Sequence, residues 1–106
     1  MGKKPNEVVK ELEKFKQKLV KHLTVQKMIL FGSTARGQAG KNSDIDLIFV
    51  SPEFKGVSPL KRAYAVSKHW DLDYPKDFLC YTQEEFKRMK TLSIVVREAL
   101  KEGIEI

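Results

Sequence analysis

Apolar residues recur at helical spacing over residues 5–23, where Val8, Val9, Leu12, Phe15, Leu19, Val20 and Leu23 make one stripe. This predicts an amphipathic helix that packs on a sheet. Two short apolar runs follow, at residues 27–31 and 45–50, joined by a connection rich in Gly, Ser, Thr and Asn. They read as strands linked through a tight turn and a short helix or loop. Beyond a loop at residues 51–57, Ser58 and Pro59 supply an N-cap residue and a favoured first helical residue. The helix they open is expected to run to about residue 70, burying Leu60, Ala63, Val66 and Trp70 with Tyr64 on a flank. A turn-rich segment at residues 71–75 leads to a third strand at residues 77–81. Thr82-Gln83-Glu84-Glu85 is a capping box that starts a helix carrying Phe86 and Met89. A last amphipathic stretch, residues 92–100, uses Leu92, Val95, Val96, Ala99 and Leu100; Gly103 stops it, and residues 104–106 can add an edge strand. The expected architecture is α/β (α+β): a small mixed sheet of three or four strands flanked by about four helices, in one domain over residues 1–106.

Composition narrows this picture. With 106 residues, 42% of them hydrophobic, the chain has enough apolar surface for one modest core. No apolar run approaches about 18 residues and the N-terminus has no signal-peptide layout, so the expectation is a cytoplasmic protein with no membrane contact. The single cysteine, Cys80, rules out an internal disulfide and a cysteine metal cage; within Phe78-Leu79-Cys80-Tyr81 it reads as a core residue. The net charge is +6, and residues 1–27 hold eight lysines against three glutamates. Glu7 with Lys10, Glu11 with Lys14 and Glu13 with Lys16 have helical pairing distances, so a solvated helix face is favoured over a polyanion surface. The one Phe, Tyr or Trp among these lysines, Phe15, belongs to the apolar stripe, which leaves none on the charged face to stack bases. His22 is expected near the end of the first helix, and His69 at a surface or helix-end position without a partner at metal-ligand spacing in the sequence.

The chemistry concentrates in residues 30–50. Asp44 and Asp46 stand two residues apart, so on a strand they share a face about 6.5–7 Å apart along the chain. Such carboxylates repel unless a proton or cation lies between them, and magnesium is held by one or two carboxylates with water and phosphate completing its shell. Upstream, Gly32 permits a close approach of backbone to ligand, and Ser33 can cap a following helix beside a phosphate. The alternative for the aspartates is two solvent carboxylates on an edge strand. Three acids later in the chain, Asp71, Asp73 and Asp77, are candidates to stand with this pair. The first two lie in a turn, where aspartate is common for local reasons, whereas Asp77 opens a strand and is the choice.

Gly32-Ser33, ten intervening residues, then Asp44-Ile45-Asp46 resembles the signature of the DNA polymerase beta-like nucleotidyltransferase superfamily, and the short chain resembles its minimal, MNT-type members. The resemblance extends to Ala35-Arg36-Gly37, Ser43 and the run from Asp77 to Phe86, and departs from the family at Thr34, where a basic residue is frequent. It implies the nucleotidyltransferase fold, with Gly32 and Ser33 on the triphosphate, and Asp44, Asp46 and Asp77 as catalytic, metal-binding carboxylates. Arg36 and Ser43 are further nucleotide-binding candidates; Arg36 either turns inward or faces solvent. The implied reaction is transfer of a nucleoside monophosphate, AMP from ATP in the first instance, to a hydroxyl acceptor with two Mg2+ ions. The implied partner is a small helical HEPN-type protein in a toxin–antitoxin pair, with this chain as antitoxin. A homo-oligomer and a nucleic-acid acceptor are further, less favoured expectations.

Two other motifs fail. Residues 35–42 imitate a P-loop through Gly40-Lys41, but Ala35 and Asn42 occupy positions that require Gly and Ser or Thr. The run after Asp46 lacks the acids and glycine of a calcium loop. The competing function is a non-catalytic, antitoxin-like binding module that neutralises a helical partner by occlusion.

Overall fold

The computed structural model describes residues 5–40 and 43–106; Lys41 and Asn42, which entered the P-loop comparison, lie outside the described residues. In chain order the elements are α1 (Pro5–Leu19), β1 (Lys27–Phe31), α2 (Gly32–Ala35), β2 (Ile45–Val50), a 3-10 turn (Pro52–Phe54), α3 (Pro59–Ser67), β3 (Lys76–Tyr81), α4 (Gln83–Leu92), α5 (Ile94–Glu102) and β4 (Ile104–Glu105). The sheet order is β3-β2-β1-β4. β1 is antiparallel to both β2 and β4, whereas β2 and β3 are parallel and joined by the α3 crossover.

Alternation along the strands builds two cores. Met28, Leu30, Ile45, Leu47 and Phe49 pack with Phe78 and Cys80 under α1 and Val66 of α3. On the opposite face, Ile29, Ile48 and Val50 pack with Leu79 and Tyr81 under Phe86 of α4 and Val96 and Ala99 of α5. Every residue of β2 is buried except Asp46, which is half-buried. β2 is also an inner strand, so the edge-strand alternative for its aspartate fails. Among the described residues no helix is long and apolar enough to cross a membrane.

Several expected boundaries and faces are corrected. The first helix ends at Leu19, not residue 23, because the Leu19 carbonyl accepts N–H groups from both His22 (2.9 Å) and Leu23 (3.0 Å) and turns the chain toward β1. Val20 is consequently exposed. His22 lies past the helix end and stacks on His69, with ring centroids 4.4 Å apart, so folding gives His69 a ring partner. α3 ends at Ser67 and buries Val66 as expected, with Trp70 packed on the core beyond its end and Tyr64 exposed on its flank, but Leu60 is 85% exposed while Arg62 is only 7% exposed. Arg62 goes inside because four of its five guanidinium N–H groups find acceptors and its charge finds a carboxylate. It donates to the Val57 carbonyl (2.7 Å), to the Cys80 carbonyl (3.1 Å) and in bidentate fashion to Glu85 (2.6 and 3.1 Å). Ser93 separates α4 from α5, capping the second through the Val96 N–H. Only Val96 and Ala99 of α5 are buried; Leu92, Val95 and Leu100 are exposed. The seam is narrow because α5 lies close to β1: a Cβ on Gly103 would meet the Ala99 carbonyl and the Ile29 side chain.

Candidate active site

Three strands deliver their chemistry to one end of the sheet. Gly32 follows directly on β1 with a φ of +75°, a conformation that costs other residues a clash of Cβ with backbone. A Cβ there would also run into the Asp46 carboxylate. Glycine is therefore required twice, by the backbone and by the acid beside it. The β1–β2 register sets Phe31 against Asp46, and the parallel β2–β3 register sets Asp46 against Asp77. Register partners share a face, so the two acids are neighbours. Asp44 stands exposed immediately before β2.

Electrostatics follow from this crowding. Burial, then the Asp77 and Asp44 carboxylates, hold the Asp46 acid above its ordinary range, while the Arg36 guanidinium pulls the other way. Arg36 lies on the exposed rim just after α2. Its Nε donates to Gln38 Oε1 (3.3 Å), and its Nη1 is 3.5 Å from Glu102 of α5. Glu102 carried no sequence signal, since its link to Arg36 is made only by folding.

The remaining candidates are placed as follows. Ser33 is not the helix cap that the sequence predicts: Phe31 holds that position with no side-chain cap, and Ser33 lies inside the first turn of α2. One turn of helix leaves no room for a separate cap between β1 and α2. Thr34 is completely buried, and its hydroxyl has no hydrogen-bond partner among the described residues. It points into the protein, away from any ligand. Ser43 Oγ accepts the Gly40 N–H at 2.9 Å, immediately before Asp44. Asp71 bonds Lys18 at 2.7 Å, which holds its carboxyl below the ordinary range and uses it elsewhere. Burial pushes the Cys80 thiol up to about 12, which fits a core residue and not a nucleophile.

No three or more His, Cys, Asp or Glu side chains among the described residues form a ready metal cage. The donor set nevertheless suits magnesium, which needs only one or two carboxylates from the protein. A divalent cation would offset the burial and the carboxylate repulsion that together raise Asp46.

The nucleotidyltransferase domain family matches residues 9–105. No curated protein matches the sequence. Among solved structures, the fold is similar to a protein from Sulfolobus solfataricus assigned to the nucleotidyltransferases, at 24% identity and a TM-score of 0.59 over 99% of this chain and 87% of that one. It is also similar to a toxin–antitoxin structure with AMP-PNP, at 23% identity and a TM-score of 0.62 over 88% of this chain and 70% of that one. A mutant of the toxin–antitoxin MntA-HpeT gives 19% identity and a TM-score of 0.58 over 95% and 70%. With a family match reaching from α1 to β4, and the Gly32, Asp46 and Asp77 neighbourhood inside it, the chain belongs to the nucleotidyltransferase domain family and is an enzyme of that kind.

Proposed function

We propose that this nucleotidyltransferase transfers AMP from ATP to a hydroxyl group on a partner protein, using magnesium. The observation that carries the reading is the juxtaposition of Gly32, Asp46 and Asp77, with Asp46 under burial and repulsion that a cation would offset. Magnesium held by Asp44, Asp46 and Asp77 would neutralise the triphosphate and assist in-line displacement. Gly32 admits the phosphates to the backbone, Ser33 donates its hydroxyl to them, and Arg36 adds a charge-assisted contact to the leaving pyrophosphate. The Asp77 carboxylate takes the proton from the acceptor hydroxyl as its oxygen attacks the α-phosphorus and the bond to pyrophosphate breaks. Ser43, held by its bond from the Gly40 N–H, stands beside Asp44 at the rim of the nucleotide.

The likeness to a toxin–antitoxin structure with AMP-PNP supports both an adenine nucleotide and a protein partner. On the family resemblance we take that partner to be a small helical HEPN-type protein in the cytoplasm. The test incubates the chain with α-labelled ATP, magnesium and lysate of its own host, beside an Asp44→Asn/Asp46→Asn variant. Label on a protein band with the unmutated chain alone supports the reading. If no label moves and the variant still captures the same partner, the occlusion module is the better account.

A further inference from the structure

The open edge of the sheet is β3, and its two halves differ. The Ile45 N–H donates to the Pro75 carbonyl and the Ser51 N–H to the Tyr81 carbonyl. In a parallel ladder this turns the odd-numbered residues of β3 toward β2, and the N–H and C=O groups of Lys76, Phe78 and Cys80 outward. At Cys80 the edge is closed, because its carbonyl accepts from Arg62. At Lys76 and Phe78 it is open among the described residues, and this half adjoins Asp77. Along it lies a hollow of about 370 Å³ bounded by Pro59, Leu60, Ala63, Lys76, Asp77 and Phe78. Leu60, 85% exposed, stands on its wall.

We infer that this half-edge is the acceptor-docking site, and that it takes an extended, acidic segment of the acceptor protein paired to β3 by backbone hydrogen bonds. The inference rests on the transfer reading above and deepens it. Outward backbone donors and acceptors match another extended backbone and little else. Register fixes the chemistry: a residue opposite Asp77 shares its face, so Asp46, Asp77 and that residue's side chain lie in one row across three strands. A hydroxyl there adjoins the carboxylate that takes its proton. Its two sequence neighbours point to the other face, against Lys76, Phe78 and the Leu60 wall. Charge selects these two neighbours, because on their face Lys76 has no ion-pair partner among the described residues and α3 carries no acid, while Asp77, the one acid bounding the hollow, shares the other face with the hydroxyl residue.

The test uses two variants of the full chain in the labelling assay. Lys76→Pro deletes an outward N–H without removing a bond to β2, and proline is tolerated at such edge positions. Leu60→Asp places a charge of the wrong sign on an exposed wall residue and should leave the melting temperature unchanged. Both are expected to cut label on the protein acceptor at least tenfold while a fluorescent ATP analogue binds with unchanged affinity in magnesium. Protein labelling that survives in Leu60→Asp, or in a folded Lys76→Pro, overturns the docking site and leaves transfer standing. Label found on RNA or a small metabolite does the same. Label on nothing, with the unmutated chain, overturns transfer and docking together.

Discussion

The two ends of β3 handle acidic charge in opposite ways. At its C-terminal end Glu85 accepts two hydrogen bonds from Arg62 and one from the Thr82 N–H, and the Arg62 bond draws its carboxyl down to about 2. At its N-terminal end Asp46 meets burial and two further carboxylates and is pushed upward. The first arrangement is complete within the chain and supports the fold. The second is incomplete, and the fold bears its cost. An acid that the chain compensates only in part, through Arg36, beside a glycine whose conformation and space suit no other residue, marks a place for something outside the chain to bind.

The largest effect should follow from removing acids at the incomplete end. Asp46→Asn or Asp77→Asn is expected to lower transfer by roughly two to three powers of ten, since magnesium contributes several kcal/mol to such reactions. Initial-rate labelling with α-labelled ATP measures it. Next comes the satisfied end: Arg62→Leu leaves Glu85 without its partner and should cost about 3 kcal/mol by urea unfolding, without changing nucleotide affinity. A depressed folded-state pKa makes the Glu85 contribution fully present above the ordinary value of 4.5 and lost as pH falls toward 2. Acid titration of the unmutated chain should therefore show instability in that window, and the Arg62→Leu variant should not. Gly32→Ala should cost about 1–2 kcal/mol for the backbone alone and more for the collision with Asp46, with loss of nucleotide binding.

The smallest effect concerns His69. Desolvation, then the His22 ring, holds its imidazole below the ordinary 6.5. The charged form is disfavoured in the fold, so stability falls as pH drops below 6.5. A proton-resonance titration should find His69 below that value, and His22→Ala should raise it.

Much of this was legible in the sequence because the signals were local. The capping box at Thr82 forms as its spacing predicts, with both reciprocal bonds, and the strands at residues 27–31 and 45–50 match their apolar runs. The Gly32 turn and the Asp44-Ile45-Asp46 spacing marked the region where the acids crowd. What escaped was long-range. Arg62 was passed over for Leu60 because a helical stripe of apolar residues says nothing of a guanidinium whose carboxylate lies 23 residues away. Likewise Ser33 satisfied the chemistry of a cap, but β1 runs so directly into α2 that Phe31 occupies the position. The exposed Leu92, Val95 and Leu100 follow from the closeness of α5 to β1, which the sequence records only as a glycine at position 103.

The most direct measurement compares the thermal stability of the unmutated chain and Asp46→Asn at pH 7, first in chelator and then in magnesium with a non-hydrolysable ATP analogue. Because the folded-state pKa of Asp46 is raised, its ionised form costs stability above that pKa, and the cost fades as pH falls toward 3.8. In chelator the variant should melt higher than the unmutated chain. With magnesium and nucleotide the order should reverse, the unmutated chain rising by several degrees and the variant staying in place. Equal shifts in both proteins, or none in either, would contradict the assignment of the Asp46 neighbourhood as the metal and nucleotide site.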